Sequence, residues 1–343
     1  MREWKGYKNG INLGGWLSQC VHTKEHYDSF ISKADIEKIK SWGLDHIRVP
    51  IDYELVEEED GTEKSDGYKY IDDVIGWCRA NGLNMILDLH KTAGYSFDLG
   101  HGESGFFENE SLQERFLKLW ERLATRYGAN SDMLAFELLN EVTDKEYCDP
   151  WNRISTECIK RIRKIAPDIK ILLGGYYNNS VEAIPDLALP YDDNVIYNFH
   201  CYEPLIFTHQ GAGWIPTMDT SFRTSIGYTC DRLTDESIKQ LGYEPTAFDV
   251  IDDRSKPLSS TYFDIIFGKA VKVAEERNVP LYCGEYGVID RTTPEEVVAW
   301  YKLIHAAFEK HSIGRAAWTY RKMDFGIVDE RMDSVRDELV KLL

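Results

Sequence analysis

The chain has 343 residues, and 58 Asp and Glu against 40 Lys and Arg leave a formal net charge of −18. That balance argues against a nucleic-acid partner and against docking on anionic lipid, because both need a basic surface. A neutral ligand suits the chain best, and aromatics at 13%, with 9 Trp and 20 Tyr, exceed what a core requires.

Short apolar runs alternate with amphipathic helices along the whole sequence. The first strand-like run is 10–14, followed by a loop containing His22-Thr23-Lys24-Glu25-His26. Ser32 opens a helix that Gly43 stops, leading into a second run at 44–50 and a third at 84–90. A loop at 91–110 carries Tyr95, Phe97, Phe106 and Phe107. Ser111-Leu112-Gln113-Glu114 then reads as a capping box for a helix that Gly128 closes. Runs at 134–141, 169–175 and 195–202 follow. Residues 203–258 are too long for a simple connection and predict an insertion over the barrel mouth, with Phe207, Trp214, Phe222, Tyr228, Tyr243 and Phe248 in it. The last two runs, 280–287 and 314–320, flank a helix opened by Thr293-Pro294.

Eight such runs, nearly continuous in apolar character as strands buried on both faces should be, predict an α/β fold. The expected architecture is a (β/α)₈ TIM barrel forming one catalytic domain, with the insertion after strand six. A doubly wound sheet competes, but Gly10-Ile11-Asn12-Leu13-Gly14-Gly15 lacks the spacing of a dinucleotide loop. No run approaches the roughly 18 apolar residues of a membrane span. The start has no apolar leader core, and the seven cysteines have no paired spacing. Reduced thiols in the cytoplasm are therefore expected, or secretion if a leader has been trimmed.

In such a barrel, chemistry sits at the C-terminal strand ends. Those ends here are Arg48, His90, Asn140, Glu141, His200, Tyr202, Glu285 and Trp318. Two carboxylates of unequal pKa are what glycoside hydrolysis requires. Arg48 and Tyr202 could hold one ionised, a neutral His200 could orient the other, and Trp318 offers a flat face to a pyranose ring. Below them, His46, Asp88, Asn198 and Glu137 also point inward by strand parity and predict a buried polar layer that orients the residues above. His22 and His26 match a zinc-protease spacing, but a loop placement and the absence of an obvious third ligand argue against zinc.

The segments HIRVP at 46–50, DLH at 88–90, LLNE at 138–141, HCY at 200–202, GEYG at 284–287 and Trp318 resemble glycoside hydrolase family 5 across the whole chain. GINLGGW, the THQ at 208–210, LYCGEYGV and KMDF further resemble a leaderless bacterial branch of that family carrying an insertion at the same place. The resemblance implies a retaining endo-β-1,4-glucanase, with Glu141 as acid/base and Glu285 as nucleophile about 5–5.5 Å apart. It implies that Asn140 bonds the sugar 2-hydroxyl, that His90 and His200 complete the site around the cleaved sugar, and that no metal or cofactor is needed. Trp214 is the best candidate for sugar stacking outside that set. The expected partner is a β-glucan bound by a monomer. Cellulose-type and mixed-linkage β-glucans are the favoured substrates. A β-mannanase, xylanase or oligosaccharide-active glycosidase of the same family is an alternative, as are a non-catalytic carbohydrate-binding barrel and a metallohydrolase using His22 and His26.

Overall fold

The computed structural model describes residues 1–98 and 104–343; residues 99–103, inside the aromatic loop expected at 91–110, lie outside the described residues. Eight parallel strands close into a barrel in sequence order. They are β1 (Asn9–Asn12), β2 (His46–Asp52), β3 (Asn84–Lys91), β4 (Leu134–Glu137), β5 (Lys170–Leu173), β6 (Val195–Cys201), β7 (Leu281–Tyr286) and β8 (Gly314–Ala317). The expected run at 134–141 is a strand only as far as Glu137, so Glu141 lies on the loop beyond it.

The helix signals are met in part. Lys33–Ser41 starts at Ser32 with a capping box closed by Asp35 and is followed by Gly43 at φ +85°. Pro294–His311 starts at Thr293 with proline in its first turn. The box expected at Ser111 is not the start of its helix: Glu110–Tyr127 is capped by Asn109, whose side chain accepts from the Ser111 amide at 2.9 Å. Asn is at least as strong a cap as Ser, and it stands two residues earlier. Gly128 ends that helix in right-handed geometry and leads into a 3₁₀ turn. Lys24–Phe30 is a short helix where a loop was expected.

Inside the barrel the lowest row is mostly apolar, with Ile86, Ala135, Leu172, Ile196, Tyr282 and Ala316 closed from below by Tyr7 and Trp4. His46, expected in the polar layer above, belongs to this floor instead and bonds the Tyr282 hydroxyl and Asp45, each at 2.6 Å. The Trp4 and Tyr7 rings stack at 3.9 Å, and the Tyr7 hydroxyl donates to the Met133 carbonyl at 2.9 Å. Between β6 and the outer helix Thr261–Glu276 the chain makes the helices Leu205–Thr208 and Cys230–Leu241 and a 3₁₀ turn at Phe248–Val250. Gln210 ties this segment down, donating to Thr292 Oγ1 at 2.8 Å and accepting from the Thr224 amide at 2.9 Å. All seven cysteines are free, and among the described residues no helix is long and apolar enough to cross a membrane.

Candidate active site

Above the apolar floor the inward residues turn polar: Asn12, Arg48, Asp88, Glu137 and Asn198 are all 0% exposed. Polar groups at that depth persist only when bonded to one another. Arg48 joins most of them. Its Nε and Nη2 donate to the two Glu137 oxygens at 2.7 and 2.9 Å, and Nη1 donates to Glu285 at 2.7 Å and to Asn12 at 2.9 Å. Nη2 also donates to Asn140 Oδ1 at 2.8 Å and lies 3.0 Å from Asp88. Burial opposes the guanidinium charge, yet Asp88, Glu137 and Glu285 together hold Arg48 well above the ordinary arginine range. Asn198 completes the shell around Glu137 at 2.8 Å, as expected of the buried layer. Asp88 bonds His90 Nδ1 at 2.6 Å, and burial pushes its carboxyl up to about 7 against the pull of Arg48.

Glu285 reaches the site through an irregularity that strand parity does not anticipate. On β7, Tyr282 faces the barrel interior and Cys283 packs outward, so simple alternation would turn Glu285 outward too. The register of β7 against β6 shifts: Phe199 pairs with Cys283, but His200 pairs with Glu285. Gly284 is the extra residue, and this bulge swings Glu285 inward beside His200. A Cβ there would stand 2.7 Å from Asn198 Oδ1 and 3.0 Å from His200 Nε2, so a larger residue would push aside Asn198, which bonds Glu137. The Tyr202 hydroxyl donates to the second Glu285 oxygen at 2.9 Å. Burial raises the Glu285 carboxyl, and His200 and Arg48 pull it back toward ionisation.

Glu141 sits past the end of β4 with φ at +44°. Its carbonyl accepts from the Tyr95 hydroxyl at 2.8 Å, and that same oxygen of Tyr95 accepts the Thr143 amide at 2.8 Å. Its carboxyl is held at both oxygens, by His200 Nδ1 at 2.8 Å and by Asn178 Nδ2 at 3.0 Å. Burial pushes it up to about 7, with the Asn178 bond, His90 and Arg48 opposing. Burial likewise pushes His200 down to about 4, so its ring is neutral at neutral pH. Asn179 Nδ2 points at His200 Nε2 from 3.4 Å, which leaves the ring proton on Nδ1, facing Glu141.

Among the described residues two polar atoms of this cluster have no protein partner, the Asn140 Nδ2 donor and His90 Nε2. The Trp318 indole stacks parallel to the His90 ring at 5.7 Å, and Phe97 meets His90 edge-on at 4.9 Å. Arg48, His90, Asn140, Glu141, His200, Tyr202, Glu285 and Trp318 thus converge. Trp214 stands apart: it is 47% exposed and connects through the His209 ring, at 6.0 Å, to Tyr202. Of the other loop aromatics, Tyr95, Phe106 and Phe107 pack on one another as buried residues rather than lining the cleft.

Among the described residues two groups bring ligand-type atoms within 4.8 Å of one another, Glu141 with His200 and Glu285, and His22 with Asp52 and Glu54. In the second, Lys91 already donates to Glu54, and His22 is bonded to Tyr27 and Asp52. His26 turns instead to the Gly15 carbonyl at 2.8 Å, so the zinc-protease spacing does not act as a pair. Sequence reading missed three residues of the site. Asn12 had a usable signal, a polar residue ending an otherwise apolar strand. Asn178 and Asn179 had none, since they follow β5 in a turn whose shape no local pattern announces.

The model of the cellulase family, glycosyl hydrolase family 5, matches residues 6–324. The chain belongs to that family and is a glycoside hydrolase. It is 47% identical over 322 residues to a cellodextrinase A of Ruminococcus flavefaciens, covering 94% of this chain and 88% of that one. It is 37% identical over 341 residues to an endoglucanase C of Acetivibrio thermocellus, covering 98% of each. The fold is shared with the endoglucanase Cel5A of Thermotoga maritima, at a TM-score of 0.76 and 24% identity over 98% of this chain and 97% of that one.

Proposed function

We propose that this family 5 hydrolase cleaves internal β-1,4-glucosidic bonds of cellulose-type and mixed-linkage β-glucans with retention of anomeric configuration. The observation that carries this is the spacing of its two carboxyls. Oxygens of Glu141 and Glu285 lie within 4.8 Å of each other, with His200 Nδ1 2.8 Å from one and 3.7 Å from the other. Retaining sites hold the pair about 5–5.5 Å apart, whereas inverting sites leave about 6.5–9.5 Å for a water.

The environments assign the roles. Glu285, ionised by Arg48 and Tyr202, attacks the anomeric carbon and forms a glycosyl ester as the glycosidic C–O bond breaks. Glu141, the carboxyl that still holds a proton near neutrality, gives it to the departing oxygen. Forming the ester removes the negative charge of Glu285, which lowers the pKa of Glu141. The resulting carboxylate then takes a proton from water, and that water displaces Glu285. The unpartnered Asn140 N–H and His90 Nε2 are directed to sugar hydroxyls, and Trp318 packs the ring face. Residues 203–258 act as an insertion over the mouth, with Trp214 a stacking platform away from the cleaved bond.

A second reading, preference for short cello-oligosaccharides, is favoured by the 47% identity to a protein named cellodextrinase A. Viscosity and reducing ends followed together on mixed-linkage glucan, carboxymethylcellulose, mannan and cellodextrins separate the two. A fast viscosity fall supports endo cleavage, while turnover confined to cellodextrins selects the second reading. NMR of the first product should show the β-anomer before mutarotation, and an initial α-anomer would overturn retention. Activity should fall on the alkaline side around pH 7, where Glu141 loses its proton, and on the acid side as Glu285 gains one.

A further inference from the structure

We propose that the turn formed by residues 177–179 is a positioning device for the acid/base carboxyl, acting through Asn178 and, by way of His200, through Asn179. The inference rests on the reading of Glu141 as acid/base.

The turn is left-handed at three successive non-glycine residues, Tyr177, Asn178 and Asn179, with φ of 51°, 57° and 55°. Asparagine tolerates that region, but tyrosine rarely enters it, and a run of three is unusual. Strain of this kind persists only where surrounding contacts over-determine it, and it concentrates at functional sites. Here the contacts run to the segment that carries Glu141. The Tyr177 amide donates to the Thr143 carbonyl at 3.0 Å, and the Asn178 amide donates to the Val142 carbonyl at 2.9 Å. Glu141 is itself left-handed, and Tyr95 clamps its backbone from the other side. Two strained segments are therefore fastened together at one point, the acid/base.

The result is control of both oxygens of one carboxyl. Asn178 donates to Oε2 directly at 3.0 Å, and Asn179, bonded to His200 Nε2, keeps the ring proton on the nitrogen that faces Oε1. Asn179 is buried, whereas Asn178 and the half-exposed Tyr177 stand at the surface of the cleft. Both donors favour the ionised form of Glu141, so they oppose burial and keep its proton labile enough to leave. The other charged or titratable groups acting on this carboxyl are His90 from β3, Arg48 from β2 and Asp98 from the loop after β3. Glu285 from β7, Asp88 from β3 and Tyr202 beyond β6 also feel it. None of these reaches Oε2 with an uncharged donor as Asn178 does.

The test uses two variants chosen to keep the turn. Asn178→Gly preserves the left-handed backbone and deletes only the amide, because glycine enters that region freely. Asn178→Asp keeps the shape but replaces the donor by a like charge. The alkaline limb of kcat/KM should move up by about one pH unit in Asn178→Gly and further in Asn178→Asp. With cellotetraose, whose leaving group needs the proton, kcat/KM should fall about tenfold. With dinitrophenyl cellobioside, whose leaving group departs unprotonated, the fall should be no more than about twofold. Equal losses on both substrates with an unmoved alkaline limb would reduce Asn178 to a structural role and overturn the proposal, as would two unaltered profiles. Failure of the acid/base reading is separate: it appears as Glu141→Ala retaining full turnover on cellotetraose.

Discussion

Glu285→Ala is expected to abolish hydrolysis of every glucan, lowering kcat by about 10⁴-fold or more. The reason is that no described residue beside Glu285 can replace it. The other carboxyl within reach, Glu141, is held at both oxygens by His200 and Asn178 and retains its proton near neutrality. Arg48 and Tyr202 should remain in place, since each has further bonds or packing of its own. Folding should therefore survive, and the loss should be one of chemistry, with binding of cello-oligosaccharides retained. Azide entering the space left by the side chain should restore turnover on dinitrophenyl cellobioside and yield the α-glycosyl azide, because one displacement inverts where two retain. Turnover of the unrescued variant within tenfold of the wild type would remove Glu285 from the mechanism.

Arg48→Met is expected to damage stability as well as activity. Methionine fills much of the space but leaves Asp88, Glu137 and Glu285 buried with no cation among them. Removing one partner of a buried ion pair costs about 3–5 kcal/mol, because the charge left behind is neither solvated nor paired. For a chain of this size that corresponds to a fall in Tm of about 4–7 °C. The double variant Arg48→Met/Glu137→Gln should recover part of the loss, since it neutralises the carboxylate that Arg48 holds in a bidentate grip. A single variant melting at the wild-type temperature would mean that the three carboxyls share protons and need no arginine. Activity should stay low in both variants, because Glu285 loses the charge that holds it ionised.

Much of this was legible in the chain itself. Eight runs of nearly continuous apolar character can be buried on both faces only in a parallel sheet wrapped by helices, and in-order alternation with helices leaves the closed barrel as the economical solution. The polar residues interrupting those runs at one end, Arg48, His90, Asn140, Glu141, His200, Tyr202 and Glu285, were legible for the same reason. An ionisable group in a buried strand is too costly to be incidental. The inner layer followed from parity along β2, β3 and β6, where Arg48, Asp88 and Asn198 do alternate as read.

What the sequence alone could not determine lies where the backbone leaves regular geometry. Parity predicts the wrong face for Glu285, and only the bulge at Gly284, visible as a shift of β7 against β6, turns it toward His200. Glu141 is delivered by a left-handed residue beyond the end of β4, and Asn178 and Asn179 by a left-handed turn beyond β5. A run of three such residues carries no local signature, since Tyr177 and Asn178 are held in it by amide bonds to the carbonyls of Thr143 and Val142. Trp214 could be picked out as an aromatic in a long segment, but its separation from the central cluster depends on how residues 203–258 pack. Periodicity and burial cost are properties of the chain and reveal the fold and the residue types of the site. The aim of each carboxyl is set by contacts between segments distant in sequence, so it belongs to the tertiary structure.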